Sequence, residues 1–226
     1  MDTIRRLFKD EKFNDRCHLG ILHKLQGDLS ESIVLGNGDL WQEHRQFSVQ
    51  ALRTFGFGKP GGEERIQQEA KFLVAKLREQ QEQRGTGFEP ELTLATSVAN
   101  VISFMLFSVR VDRVDDQRFS QFADNVTKNI MELTSDVELE IWPWLRFIYP
   151  PFARKFRDIQ ERLSQTQDSM RQLIAEHKET FDPNHPRDYV DAYFCEQEIR
   201  RNASGNEGTF TDEQLIRNLS DLCRWF

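Results

Sequence analysis

The spacing of apolar positions along the chain changes period several times, and each change marks an element. Ile4, Leu7 and Phe8 on one side predict a short helix over Asp2–Lys12, broken at Phe13-Asn-Asp-Arg16. After a polar stretch, Gly36-Asn-Gly-Asp39 reads as a turn with Asp39 as N-cap. Gln42 would be the other half of a capping box, opening a helix that carries Trp41 and Arg45. Phe55-Gly-Phe-Gly-Lys-Pro-Gly-Gly62 ends that helix. Ile66, Ala70, Leu73 and Leu77 then repeat at helical spacing and predict an amphipathic helix over Glu63–Gln83. Between Glu91 and Ser108 scarcely any polar face is left, which predicts a helix buried on all sides.

Apolar residues at 119, 122, 126, 130, 133 and 137 trace another amphipathic helix. Trp142-Pro-Trp-Leu-Arg-Phe-Ile-Tyr-Pro-Pro-Phe152 cannot continue it, because its prolines lack the amide and clash with the preceding turn. A long helix over Phe156–Glu179 follows, with Ile159, Leu163, Met170, Leu173 and Ile174 in one stripe. Asp182-Pro-Asn-His-Pro186 stops it, and Arg187–Phe194 begins the next. Asn202–Gly208 reads as a solvated loop. Thr211 and Gln214 form a second capping box, opening a helix with Leu215, Leu219 and Leu222 inside. The pattern is all-α, with at least seven helices in a single unit spanning residues 1–226.

Composition narrows the function. The 226 residues carry a net charge of −7, which argues against nucleic acid, since phosphate binding needs a basic face. Cys17, Cys195 and Cys223 are three in number and far apart, so neither a zinc site nor a disulfide framework is supported. A reducing compartment fits this usage. The N-terminus lacks the apolar stretch of a signal peptide, and the run Val98–Val109 is too short to span a bilayer. No glycine-rich phosphate loop, dinucleotide fingerprint or nucleophile elbow is present. The five histidines show no ligand spacing, and His44 lies about 100° around its helix from Arg45. The sequons at Asn125, Asn202 and Asn218 carry little weight without a leader.

The Trp41–Arg45 pair is the main candidate chemistry. Four residues apart, the two side chains share a helix face and suit a planar, carboxylate-bearing ligand, the indole packing on rings and the guanidinium gripping the acid. The alternative is a core anchor beside an ordinary surface charge. The wider string weighs against that alternative. The turn, Trp41-x-x-x-Arg45, Phe47-Ser48, Leu52-Arg53, Phe55-Gly56 and Gly58-Lys59 resemble helix C and its following turn in the cytochrome P-450 superfamily, particularly the microsomal family-2 group. Asn100–Phe107 with Arg110, Asp112, Asp116 and Phe119 resembles that family's helix E, although Ser108 stands where the family usually has glycine. Asp188-Tyr-Val-Asp191 after a proline is a third match.

The resemblance implies a partial cytochrome P-450 fold running from helix B to the opening of helix I, and haem-dependent monooxygenation of apolar small molecules. It implies Trp41 and Arg45 as holders of a haem propionate. It also implies an acidic electron donor, NADPH-cytochrome P-450 reductase or cytochrome b5, docking on Arg45, Arg53 and Lys59. Residues Trp142–Phe152 would be the linker that roofs the substrate channel and touches the membrane. The location implied is the cytoplasmic side of the endoplasmic reticulum, with no anchor in these residues.

The family's haem-thiolate loop, its Glu-x-x-Arg pair and its dioxygen-handling segment are not found. Cys195 and Cys223 read as packing residues, and the chain is expected to be inactive alone. The alternative reading is a truncated or splice-variant product, or a gene-model fragment, acting if at all through protein contacts.

Overall fold

The computed structural model describes residues 4, 31–84, 87–109, 141–142 and 144–225. Apart from Ile4, the predicted Asp2–Lys12 helix lies outside the described residues, as do most of the polar stretch before Gly36 and the predicted amphipathic helix from Phe119 to Val137. Seven helices are described: α1 (Gly38–Thr54), α2 (Pro60–Arg84), α3 (Glu91–Phe107), α4 (Leu145–Ile148), α5 (Pro150–Glu179), α6 (Tyr189–Ser204) and α7 (Asp212–Trp225). No strand occurs among the described residues. The fold is all-α, as the apolar periodicity requires.

Helix boundaries follow local backbone chemistry, and several differ from the sequence expectation. Asn37, not Asp39, occupies the N-cap of α1, and its side chain makes no capping bond. Gly38, with φ +80°, turns the chain into the helix early and leaves Asp39 in the first turn, where its charge faces the positive end of the helix dipole. α2 starts at Pro60 rather than Glu63, because a proline without an amide hydrogen suits the first helical turn. For the same reason α5 starts at Pro150 rather than Phe156, with the prolines in its first turn and extended Tyr149 making the break. Asp188 caps α6 by accepting from the Asp191 amide at 3.0 Å. In α7 the Gln214 amide donates to Thr211 Oγ1 at 3.1 Å, half of the predicted box. The Gln214 side chain does not complete it, and donates instead to the Glu31 carbonyl at 2.7 Å and to Asn218.

The core gathers around α6, which packs against α1, α3 and α5, while α7 packs on α3 and α5. Tyr189, Tyr193 and Phe194 of α6 meet Leu215 and Leu219 of α7, Leu52 of α1, Phe107 of α3 and Met170 of α5. The α5 stripe is buried as predicted at Ile159, Leu163, Met170 and Ile174, with Leu173 packed against the core.

Two faces depart from the pattern. On α2 the half-buried positions are Glu69, Leu73, Leu77 and Gln80, whereas Ile66 is exposed. Tertiary contact decided this: Glu69 turns toward α3 and accepts from Ser97 at 3.2 Å and from Asn100 at 3.1 Å. α3 is correspondingly not buried all round. Its polar Ser97, Asn100 and Ser103 point inward, while Leu94 and Val98 are exposed.

Candidate functional site

Trp41 and Arg45 sit one turn apart on α1, with the guanidinium carbon 5.6 Å from the indole centroid. Both donate to one backbone oxygen: Trp41 Nε1 is 3.0 Å and Arg45 Nη1 3.3 Å from the carbonyl of Ile33. That carbonyl belongs to the short turn before α1, and the turn is held from α7. Asp221 Oδ2 accepts from the Ser32 hydroxyl at 2.6 Å and from the Ile33 amide at 2.9 Å. Ser32 Oγ in turn accepts from the amides of Val34, at 3.2 Å, and Leu35, at 2.9 Å. Sequence reasoning missed Ser32, Ile33 and Asp221 as neighbours of the pair. Ser32 and Asp221 are 189 residues apart, and no spacing rule joins them.

Outside this turn, α1 forms one wall of an open groove of about 720 Å³. Trp41, Arg45, Val49, Arg53 and Lys59 line it, so the three cations singled out from the sequence converge on one concavity. Its lining, among the described residues, includes no carboxylate, cysteine or histidine. The groove therefore presents positive charge and an indole, with Val49 as its one aliphatic side chain beside the polar Gln42, Gln46, Gln50 and Thr54. These features suit an anionic, partly apolar ligand.

The remaining candidates fall away from the groove for stated reasons. His44 faces the core, its ring 4.4 Å from that of Phe210, and burial lowers its pKa, leaving it neutral. Cys195 packs with its sulfur 3.8 Å from the Pro183 carbonyl, and burial pushes its thiol up, away from the reactive thiolate. Cys223 lies against the core. His177, Asp188 and Asp191 place ligand atoms within 4.8 Å of one another. Arg187 already grips Asp191 through Nε at 2.6 Å and Nη2 at 3.0 Å, and Asp188 caps α6. That cluster is an ion-pair network.

The family model described as Cytochrome P450 matches residues 1–223, nearly the whole chain. The chain belongs to the cytochrome P450 family. Among curated relatives it is similar to Cytochrome P450 2C20 of Macaca fascicularis, 30% identical over 229 residues, covering 98% of this chain and 44% of that protein. It is also similar to Cytochrome P450 2H1 of Gallus gallus, 31% identical, covering 94% of this chain and 41% of the relative. Cytochrome P450 2F5 of Gorilla gorilla gorilla is 36% identical over a shorter 165 residues, 71% of this chain and 32% of that protein. The chain thus spans less than half the length of these curated relatives.

The seven helices form part of the cytochrome P450 fold. Haem is the family's cofactor, and the groove residues fit one portion of it. Its cations suit the carboxylates of a porphyrin edge and its indole the adjoining ring, while its lining offers no side chain for the iron. No described helix of this cytochrome P450 chain is long and apolar enough to cross a membrane.

Proposed function

We propose that residues 1–226 belong to one domain of a haem-dependent monooxygenase, with Trp41 and Arg45 binding a haem propionate. The observation that carries this reading is the position of the pair, at the wall of a cation-lined groove in a cytochrome P450 chain. Arg45 is exposed and bonds the Ile33 carbonyl through Nη1, so its planar fork presents further N–H donors toward the groove. A carboxylate arriving there meets charge-assisted donors of fixed geometry, and the indole body packs against an adjacent apolar ring edge. When bound, haem supplies the iron that activates dioxygen with electrons from a donor protein, one oxygen atom entering an apolar small molecule. This chain's residues would bind and orient the cofactor, and an iron ligand would have to come from residues other than those lining the groove.

The same wall supports an electron-donor surface. Arg45, Arg53 and Lys59 are exposed together, and an acidic protein such as NADPH-cytochrome P-450 reductase or cytochrome b5 would be steered to them. At the far end of α5, Trp142, Trp144, Phe147, Ile148 and Tyr149 are all exposed. Such a proline-bounded aromatic tip suits contact with the cytoplasmic surface of the endoplasmic reticulum membrane.

A non-catalytic role through protein contacts is a second reading, favoured by the exposed apolar pair Leu94 and Val98 on one face of α3 and by the separately exposed Ile66, Phe72 and Val74 of α2. Titration of the purified chain with haem and with haem dimethyl ester, followed by tryptophan quenching and the Soret band, separates the two. A propionate clamp predicts that haem binds more tightly than the ester, by about tenfold or more given ~1.5–3 kcal/mol for a charged hydrogen bond. Arg45→Gln should erase the difference, whereas Trp41→Phe should weaken haem and ester alike. Equal affinity of haem and ester for the unaltered chain overturns the clamp and leaves the contact reading standing.

A further inference from the structure

The Trp41–Arg45 pair does not position itself. Both side chains converge on the Ile33 carbonyl, so whatever aims that carbonyl also aims the pair. The Ile33 carbonyl and the Val34 amide share one planar trans peptide, in which C=O and N–H point in opposite directions. Ser32 Oγ accepts the Val34 N–H at 3.2 Å, so within that plane the Ile33 oxygen points the opposite way, toward Trp41 and Arg45 of α1. The hydroxyl can do this because its own hydrogen is committed to Asp221 Oδ2 at 2.6 Å, turning its lone pairs toward the Val34 and Leu35 amides. The same carboxylate oxygen takes the Ile33 amide at 2.9 Å, fixing the neighbouring peptide as well.

Asp221 itself is buried on α7, a helix that packs on both α3 and α5 and therefore moves with the core. A second grip from the same helix reinforces it: Gln214 donates to the Glu31 carbonyl at 2.7 Å, and Arg217 pairs with Glu31 at 2.9 Å. A core helix thus reaches the groove wall through one serine and one peptide.

We propose that Asp221 is a positioning residue for the Trp41–Arg45 pair, acting through the Ser32 hydroxyl and the Ile33–Val34 peptide. Its functional consequence rests on the carboxylate-binding reading of that pair. With the relay intact, the indole and guanidinium are held on the groove wall before any ligand arrives, and binding does not have to order them. With the relay broken, the carbonyl swings and the two side chains lose their common acceptor.

Two readouts on the full chain test this. The first is exchange of the Trp41 indole Nε1 proton with water, read by ¹H–¹⁵N NMR with the other three tryptophan indoles in the same spectrum as internal references. The second is the preference for haem over its dimethyl ester. Ser32→Ala should speed Trp41 indole exchange about tenfold, the equivalent of one hydrogen bond, and leave the other indoles unchanged. Ser32→Thr, which keeps the hydroxyl, should restore the slow rate. Asp221→Leu should reproduce the alanine effect; if that variant does not fold, Ser32→Ala and Ser32→Thr carry the test.

Unchanged Trp41 exchange in Ser32→Ala overturns the proposal, even where haem is still preferred over the ester, an outcome that leaves the clamp intact. Faster Trp41 exchange supports the positioning role. If the unaltered chain shows no preference for haem, the clamp reading falls while the positioning role stands.

Discussion

His177 and Asp188 face each other with His177 Nε2 3.0 Å from Asp188 Oδ2, while the other ring nitrogen, Nδ1, lies 3.0 Å from the Leu173 carbonyl. A carboxylate and a carbonyl oxygen both accept, so only a doubly protonated imidazole satisfies the two contacts together. Burial opposes that charge. The Asp188 hydrogen bond and charge, the Leu173 carbonyl and the Asp191 charge outweigh it, and the His177 pKa is raised. The pair ties the C-terminal end of α5, where a cation also complements the helix dipole, to the N-cap of α6. Arg187, on the far side of Asp191, and the Phe107 edge complete the surroundings.

The sign of the pH dependence follows from the raised folded-state value. The stabilisation is complete below the unfolded-state value of about 6.5 and is lost as pH rises through the higher folded-state value. The midpoint temperature of thermal unfolding should therefore fall as pH rises above about 6.5, and His177→Gln should flatten that slope. A slope unchanged in His177→Gln would assign the dependence to other groups. Removing the ring altogether, as in His177→Leu, leaves Asp188 buried without its partner and should cost about 3 kcal/mol in chemical denaturation.

Gly62 and Gly61 are neighbours with opposite tolerances. A Cβ on Gly62 would lie 2.0 Å from the Gly56 carbonyl oxygen and 2.8 Å from its carbon, whereas one on Gly61 meets nothing within 4 Å. Gly62→Ala should push open the turn between α1 and α2 and lower stability by ~1–3 kcal/mol. Gly61→Ala should be neutral or stabilising by up to about 0.5–1 kcal/mol, since alanine suits a helix better. Chemical denaturation of both variants decides it. Because the Gly62 amide bonds the Lys59 carbonyl at 3.0 Å, the damaging variant should also displace one cation of the groove.

Ser108 ends α3 in the left-handed region with φ 52°, the position at which the family resemblance implies glycine. Such a conformation costs a residue with a Cβ ~1–2 kcal/mol, and glycine recovers most of that less its own backbone entropy. Ser108 Oγ donates to the Arg187 carbonyl at 3.2 Å, an exposed bond worth little in water. Ser108→Gly should therefore stabilise the chain by about 0.5 kcal/mol. A measured loss of stability would mean that the bond to Arg187 outweighs the strain.

Phe147 and Ile148 are the most exposed apolar residues of the aromatic tip, at 75% and 67%. Burying a side chain of this kind in a bilayer surface is worth ~1.5–3 kcal/mol. Phe147→Glu should weaken sedimentation with phospholipid vesicles by about tenfold or more and leave thermal stability unchanged. Vesicle binding that survives Phe147→Glu with Ile148→Glu would remove the tip from the membrane contact.

Local pattern made the α5 stripe legible, because Ile159, Leu163, Met170 and Ile174 lie on one face whatever the helix packs against. It also made the break at Tyr149 legible, since proline chemistry acts within a few residues. The exact helix starts at Pro60 and Pro150 were missed because proline was read only as a breaker, although it also favours a first turn. On α2, Leu73 and Leu77 of the expected stripe are half-buried, but Ile66 and Ala70 are exposed and Glu69 turns inward instead. Its carboxylate found two donors on α3, Ser97 and Asn100, that periodicity does not see.

What the sequence by itself determined is the helical class, the family and the Trp41–Arg45 pair, each carried by residues within a turn or two of one another. What only the tertiary structure decided is how that pair is held. The Ile33 carbonyl, the Ser32 hydroxyl and the Asp221 carboxylate come from opposite ends of the chain. Hydrogen bonds of this length depend on atomic positions that exist only once α7 has packed into the core, and no spacing along the chain encodes them.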